Sequence, residues 1–195
     1  MTAPLVLGVA GSPRRRGNSD VMLDAALAGA EAAGARVERV VASDAGIAPC
    51  RGCNACSRDG RCIQTDGMLA VYELLDAADV IVIATPVFFA SVPSTLKALY
   101  DRCQPYWARR YVLGEPPPGH KRPGALLIAA GGGDPYGHGC AEAPTRSVFA
   151  VLGVELTDEI VAEPVDAARD VLAKPEVIEA CRALGERLGR PGAGA

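Results

Sequence analysis

Two short, unbroken apolar runs constrain this chain more than anything else in it. Leu5–Ala10 (LVLGVA) stops at Gly11, and Asp79–Ala84 (DVIVIA) stops at Thr85. Runs of this length, bounded by turn residues, predict strands covered on both faces. Such strands need a sheet around them and helices above and below. The rest of the chain supplies both in alternation. Asn18 or Ser19 caps a helix that reaches about Ala33, with Gly34 as its stop. Val37–Ala42 reads as a second strand, and Met68–Ala77 as a short helix. Ser94 caps a helix over Thr95–Cys103. Ala125–Ala130 is a fourth strand, and a helix near Glu142–Leu152 ends at Gly153. Val154–Val161 is a fifth, weaker strand, and Pro175–Leu188 a last helix. Residues 105–123 hold five prolines together with Tyr106, Trp107 and Tyr111, and read as a long connection of the lid or interface kind.

Alternating strands and helices predict a parallel sheet covered on both faces. Five such units fit an α/β, flavodoxin-like doubly wound sheet of order 2-1-3-4-5. In that arrangement ligands bind at the carboxyl ends of the strands, near the switch point between strands 1 and 3. The 195 residues, 49% apolar, suit one domain over residues 1–188, with residues 189–195 as a flexible tail. A Cys-rich loop, 43–66, is inserted after strand 2.

The net charge of −3 gives no electrostatic case for nucleic acid or a membrane as partner. The longest apolar stretch, Val80–Val92, is broken by Thr85, Pro86 and Ser91 and is too short to span a bilayer. Residues 1–10 show no basic leader pattern, so a cytoplasmic chain with reduced thiols is the expectation.

Four of the seven cysteines crowd into thirteen residues: Cys50, Cys53, Cys56 and Cys62, spaced C-x2-C-x2-C-x5-C. Close thiolate runs of this kind hold iron–sulfur clusters. Structural zinc is a second reading, although four-cysteine zinc sites usually join two C-x2-C knuckles over a longer gap. An empty or disulfide-forming loop is a third. Gly52 and Gly60 favour close wrapping, and Arg51, Arg58 and Arg61 offset thiolate charge. Cys103, Cys140 and Cys181 are isolated, and burial is their default.

Gly11–Ser19 (GSPRRRGNS) joins the first strand to the first helix. A helix start offers free N–H groups and a positive dipole end. Ser12, Asn18 and Ser19 add side-chain donors, and one of Arg14, Arg15 and Arg16 can grip a phosphate. Neither G-x-G-x-x-G nor a Walker loop is present, which points to a mononucleotide phosphate. After the third strand comes Thr85–Ser91 (TPVFFAS). Pro86 stiffens the exit, and Phe88 and Phe89 either flank a flat ring or extend the core. Gly131-Gly132-Gly133 forms a third loop on the same edge, where backbone can approach a ligand. His138 and Cys140 follow it and are candidates to line the site. His138 and His120 are the two histidines, each in a Gly/Pro-rich stretch where solvation is the ordinary state.

Gly11–Ser19, the Cys run with Asp66-Gly67-Met68, and Thr85–Arg102 (TPVFFASVPSTLKALYDR) together resemble the NAD(P)H-dependent FMN reductase family, and the Cys run resembles its iron–sulfur flavoprotein branch. The resemblance covers about residues 5–160. It implies a flavodoxin-like fold, bound FMN, and a homodimer or homotetramer. It implies Ser12, Arg14, Asn18 and Ser19 on the FMN phosphate, and Pro86, Val87, Phe88, Phe89 and Ser91 around the ring and ribityl chain. Cys50, Cys53, Cys56 and Cys62 would ligate a 4Fe-4S cluster. Asp66-Gly67-Met68 departs from relatives, which often carry two acidic residues before Met.

The activity so implied is an FMN-dependent oxidoreductase. It moves electrons between NAD(P)H or an organic donor and an acceptor or electron-transfer partner, through FMN and the cluster. Two other readings stand beside it. One is an FMN and iron–sulfur dehydrogenase of a small cyclic organic acid, with that small molecule as substrate. The other is a non-enzymatic redox or metal sensor that uses the Cys loop as its switch. No residue is assigned as general acid or base, because the cofactors carry the chemistry.

Overall fold

β1 (Leu5–Ala10) and β3 (Val80–Pro86) lie side by side at the centre of a five-stranded, all-parallel sheet. β2 (Arg36–Val41) flanks β1, while β4 (Arg122–Ala129) and β5 (Val154–Ala162) follow β3, giving the order β2-β1-β3-β4-β5. A computed structural model describes residues 2–116, 118–119 and 121–192. His120 and the last three residues of the expected tail lie outside the described residues.

The continuous apolar runs are buried on both faces because alternate residues feed two cores. Leu7, Val9, Ile81, Ile83, Leu126 and Ile128 face one core, with α3 (Met68–Ala77), α4 (Ser94–Asp101) and α6 (Gly139–Leu152) packed against it. Val6, Val80, Val82, Ala125 and Leu127 face the other, under α1 (Asn18–Ala32) and α7 (Pro175–Leu188). Each buried Leu, Ile or Val side chain contributes roughly 1.5–3 kcal/mol relative to exposure. α1 and α7 touch backbone to backbone: a Cβ on Gly185 would fall 1.8 Å from the Ala26 carbonyl oxygen. The outer strands differ from the central ones. β2 and β5 alternate buried or half-buried with exposed residues, as edge strands do.

Three elements depart from the sequence reading. α5 (Gln104–Tyr111) occupies much of the stretch read as a connection. Pro105 sits in its first turn, where a missing N–H costs nothing. A single-turn helix, α2 (Cys56–Asp59), lies inside the Cys loop. α6 begins at Gly139, ahead of the expected Glu142, and carries Pro144 within it. Cys103 and Cys181 are buried, and Cys140 is half-buried. Among the described residues no helix is long and apolar enough to cross a membrane.

Candidate functional site

A solvent-open cleft lies where the central strands end. Its wall comes from four loops. Ser12, Arg14, Gly17, Asn18 and Ser19 follow β1; Pro86, Val87 and Phe88 lie at and beyond the end of β3; Ala129 and Gly131 come from β4; Val165 and Asp166 follow β5. The cleft therefore sits over the β1/β3 switch point, where the fold leaves space between diverging crossovers.

The first loop is tightly built. The Gly11 N–H donates to the Ala84 carbonyl at 2.8 Å, and a Cβ on Gly11 would fall 2.5 Å from Leu96 Cδ2. Ser12 Oγ accepts from the Arg14 N–H at 3.0 Å and donates to the Arg14 carbonyl at 3.2 Å. Gly17 is the N-cap of α1, and no side chain caps this end. The N–H groups of residues 18–20 thus have no helical acceptor and carry the positive end of the helix dipole. Of the three successive arginines, Arg14 alone lines the cleft, its Nη1 donating to the Asp166 carbonyl at 3.4 Å. Arg15 pairs with Asp44 instead.

Asn18 lines the cleft, but its amide is already occupied. Nδ2 donates to the Ala167 carbonyl at 2.9 Å, and Oδ1 accepts from the Val171 N–H at 3.1 Å. The side chain ties the segment after β5 to the start of α1, rather than capping the helix.

The second loop is strained. Phe88 and Ser91 exchange backbone hydrogen bonds of 2.8 and 3.1 Å around Phe89 and Ala90, whose φ values are +47° and +54°. Two successive non-glycine residues in the left-handed region cost about 1–2 kcal/mol each. Phe88 stands on the cleft wall, whereas Phe89 is 102% exposed and points to solvent. Ser91 and Gly132 are not on the wall; Gly132 packs beside Glu163 and Pro164. His138 and Cys140 are not on it either, contrary to expectation. His138 Nδ1 lies 3.4 Å from Glu163 Oε2, and Cys140 Sγ donates to the Gly137 carbonyl at 3.1 Å.

A second cavity, about 270 Å³, shares no wall residue with the first. Cys50, Cys53, Cys56 and Cys62 all line it, with Arg102, Gln104 and Pro105. The four thiols are free; Cys50 and Cys53 are exposed, Cys56 is buried and Cys62 is half-buried. Burial pushes the Cys56 thiol above its ordinary pKa, and the neighbouring Cys50, Cys62 and Cys53 push it further. Among the described residues no three His, Cys, Asp or Glu side chains already surround one metal position. Four soft sulfur donors facing one space fit a thiolate-held cluster by chemistry.

Arg102 supports this cavity from below and is the residue that reading the sequence missed. Its side chain is 0% exposed. Nη1 donates to Asp66 Oδ2 at 2.6 Å and to the Ala48 carbonyl at 2.9 Å, and Nη2 donates to Asp66 Oδ1 at 3.0 Å. Nε is buried without a partner among the described residues. Val165 and Asp166 were also missed. A single Arg in a helical run, or an acid after an edge strand, carries no spacing signal.

Residues 4–164 match the family model described as NADPH-dependent FMN reductase. An iron–sulfur flavoprotein of Archaeoglobus fulgidus is 37% identical over 129 residues, 66% of this chain and 56% of that protein. An iron–sulfur flavoprotein of Methanosarcina thermophila is 39% identical over 97 residues, 50% of this chain and 51% of that one. The chain thus spans about half the length of the curated relatives it matches. Among solved structures, an NAD(P)H:quinone oxidoreductase from Methanothermobacter marburgensis superposes with a TM-score of 0.66 at 19% identity, covering 96% of this chain and 100% of that one. At that identity the likeness concerns the fold. The family match begins ahead of β1 and runs past the end of β5, taking in the cleft's first three loops and the cysteine cavity, and the chain belongs to the NADPH-dependent FMN reductase family.

Proposed function

We propose that this chain is an FMN-dependent oxidoreductase that carries electrons between NAD(P)H, or an organic donor, and an acceptor, through FMN and a 4Fe-4S cluster. The carrying observation is that one chain holds both a phosphate-type cleft at its sheet switch point and a separate cavity lined by four free thiols. FMN exchanges electrons in pairs or singly and a cluster exchanges them singly, so the two together link hydride chemistry to one-electron acceptors.

The protein's part is placement. Ser12, Ser19 and the unbonded N–H groups at the start of α1 receive the phosphate, and Arg14 supplies its countercharge. Asn18 holds the cleft's far wall in place through residues 167 and 171. Pro86, Val87 and Phe88 form the surface for the flat ring, and Gly131 lets backbone approach from the opposite side. Phe89, which projects outward, and Ser91, behind it, contribute through the shape of the turn. Cys50, Cys53, Cys56 and Cys62 are the cluster ligands, with the exposed pair closing onto the buried ones. A homodimer or homotetramer is part of the same reading, and so is single-domain organisation over residues 1–188.

Anaerobic purification tests this directly. We expect flavin released by acid to match the protein in amount, iron and sulfide to be retained, and NADPH or NADH to bleach the flavin. A preparation with neither flavin nor iron would defeat the reading. Flavin without iron would defeat its cluster half alone. Sedimentation of the loaded protein reads the assembly state.

A further inference from the structure

The buried guanidinium on the wall of the cysteine cavity carries, at Nε, a donor that no contact among the described residues uses. Three of its five N–H donors are used in ways that fix the loop: both Nη groups reach Asp66, and Nη1 also reaches the Ala48 carbonyl. Nε–H is left, fully buried and unpartnered, on a residue that forms part of the cavity wall. A buried unmade hydrogen bond costs about 1–3 kcal/mol, more when the group is charged. Such a cost persists where a ligand makes the bond.

Resting on the cluster reading above, we propose that Arg102 is a positioning residue for that cluster, its Nε–H donating a hydrogen bond to one of the sulfurs held in the cysteine cavity. A donor aimed at sulfur stabilises the more negative, reduced form, so it raises the reduction potential. Asp66 fixes the direction of the donor by holding the opposite edge of the same planar group. The exposed Arg51, Arg58 and Arg61 lack such fixing and act only as diffuse positive charge.

The test uses the full chain, reconstituted anaerobically with iron and sulfide and labelled with guanidino-15N arginine. Iron is counted, the reduced cluster is examined by pulsed EPR, and its potential is titrated. We expect a 15N hyperfine coupling that survives in the Arg51→Lys/Arg58→Lys/Arg61→Lys variant. We expect its loss in Arg102→Lys, with iron and flavin retained and the potential moved downward. A loaded wild-type cluster without arginine coupling would overturn the proposal. Coupling or potential unchanged in Arg102→Lys would do the same. Should Arg102→Lys fail to fold, the labelled wild-type protein and the triple variant decide the matter between them: coupling kept in both supports the proposal, and coupling lost in the triple variant overturns it. A wild-type chain that takes up no iron is a different result: it removes the cluster reading itself.

Discussion

Arg102 and Asp66 meet through two parallel hydrogen bonds, Nη1 to Oδ2 at 2.6 Å and Nη2 to Oδ1 at 3.0 Å. The same carboxylate accepts the Ala48 N–H and the Met68 N–H, each at 3.0 Å. Residues 48 and 66 flank the four cysteines, so this one pair gathers both feet of the loop and fastens them to the end of α4. The carboxylate is 18% exposed and the guanidinium not at all.

The pairing sets an acid limit. The Arg102 hydrogen bond, against an opposing burial effect, holds the Asp66 carboxyl at about 2, below its ordinary 3.8. A depressed folded-state pKa gives stability that is complete above the unfolded value and is lost as pH falls through the folded one. We therefore expect about 2 kcal/mol of stability to disappear between about pH 4 and about pH 2. Urea unfolding across that range measures it. Asp66→Asn should flatten the pH dependence there, and cost about 3 kcal/mol at neutral pH, because it leaves a buried guanidinium without its counter-charge.

Thiol labelling separates the cysteines. In iron-free protein at neutral pH, iodoacetamide should modify exposed Cys50 and Cys53 first and Cys56 last among the loop residues. Cys103 and Cys181, pushed up to about 12 by burial, should stay unlabelled until the chain unfolds. Loading with iron and sulfide should protect the loop and leave the rate at half-buried Cys140 unchanged. Peptide mass spectrometry after timed quenching reads each site.

Arginine identity matters in the first loop. Arg14→Ala should weaken FMN binding at least about tenfold, from loss of a charge-assisted contact worth roughly 1.5–3 kcal/mol. Arg15→Ala should have little effect, since Arg15 is engaged with Asp44 outside the cleft wall. Flavin fluorescence quenching on titration into flavin-free protein gives both constants.

Relieving the strained turn should stabilise the chain. Ala90 sits at φ +54°, a conformation that glycine adopts without cost. Ala90→Gly should raise stability by up to about 1 kcal/mol in a thermal melt. Ala90→Val should lower it by at least as much, because a β-branched side chain fits that region worst.

Much of this was legible in the residues. β1 and β3 announced themselves because a strand buried on both faces has no polar alternation to confuse it. The order of the five strands followed from the repeated strand–helix pattern. β5 read weakly because it is an edge strand, with Asp158 and Glu159 among its residues. α5 was hidden by the prolines around it, although the one within it occupies a position that helices accept. Arg14 and the Phe88 turn were found by type and position. Asn18 lies on the cleft wall with its amide engaged elsewhere, because nothing local reveals an acceptor 149 residues away and a donor 153 residues away. Arg102 is held by partners 36 and 54 positions earlier, a relationship that no local window contains.

α4 begins just beyond the strained turn and ends against Arg102, so it has a fixed length to keep. Adding or deleting one residue within Ser94–Asp101 would swing the following side chain by about 100° around the helix axis and carry Arg102 away from Asp66. The arch between residues 48 and 66 is held at its feet and again at Gly60, whose carbonyl accepts from Arg109 Nε of α5 at 2.9 Å. Insertions and deletions in natural variants of this chain should therefore be absent from those eight helical residues.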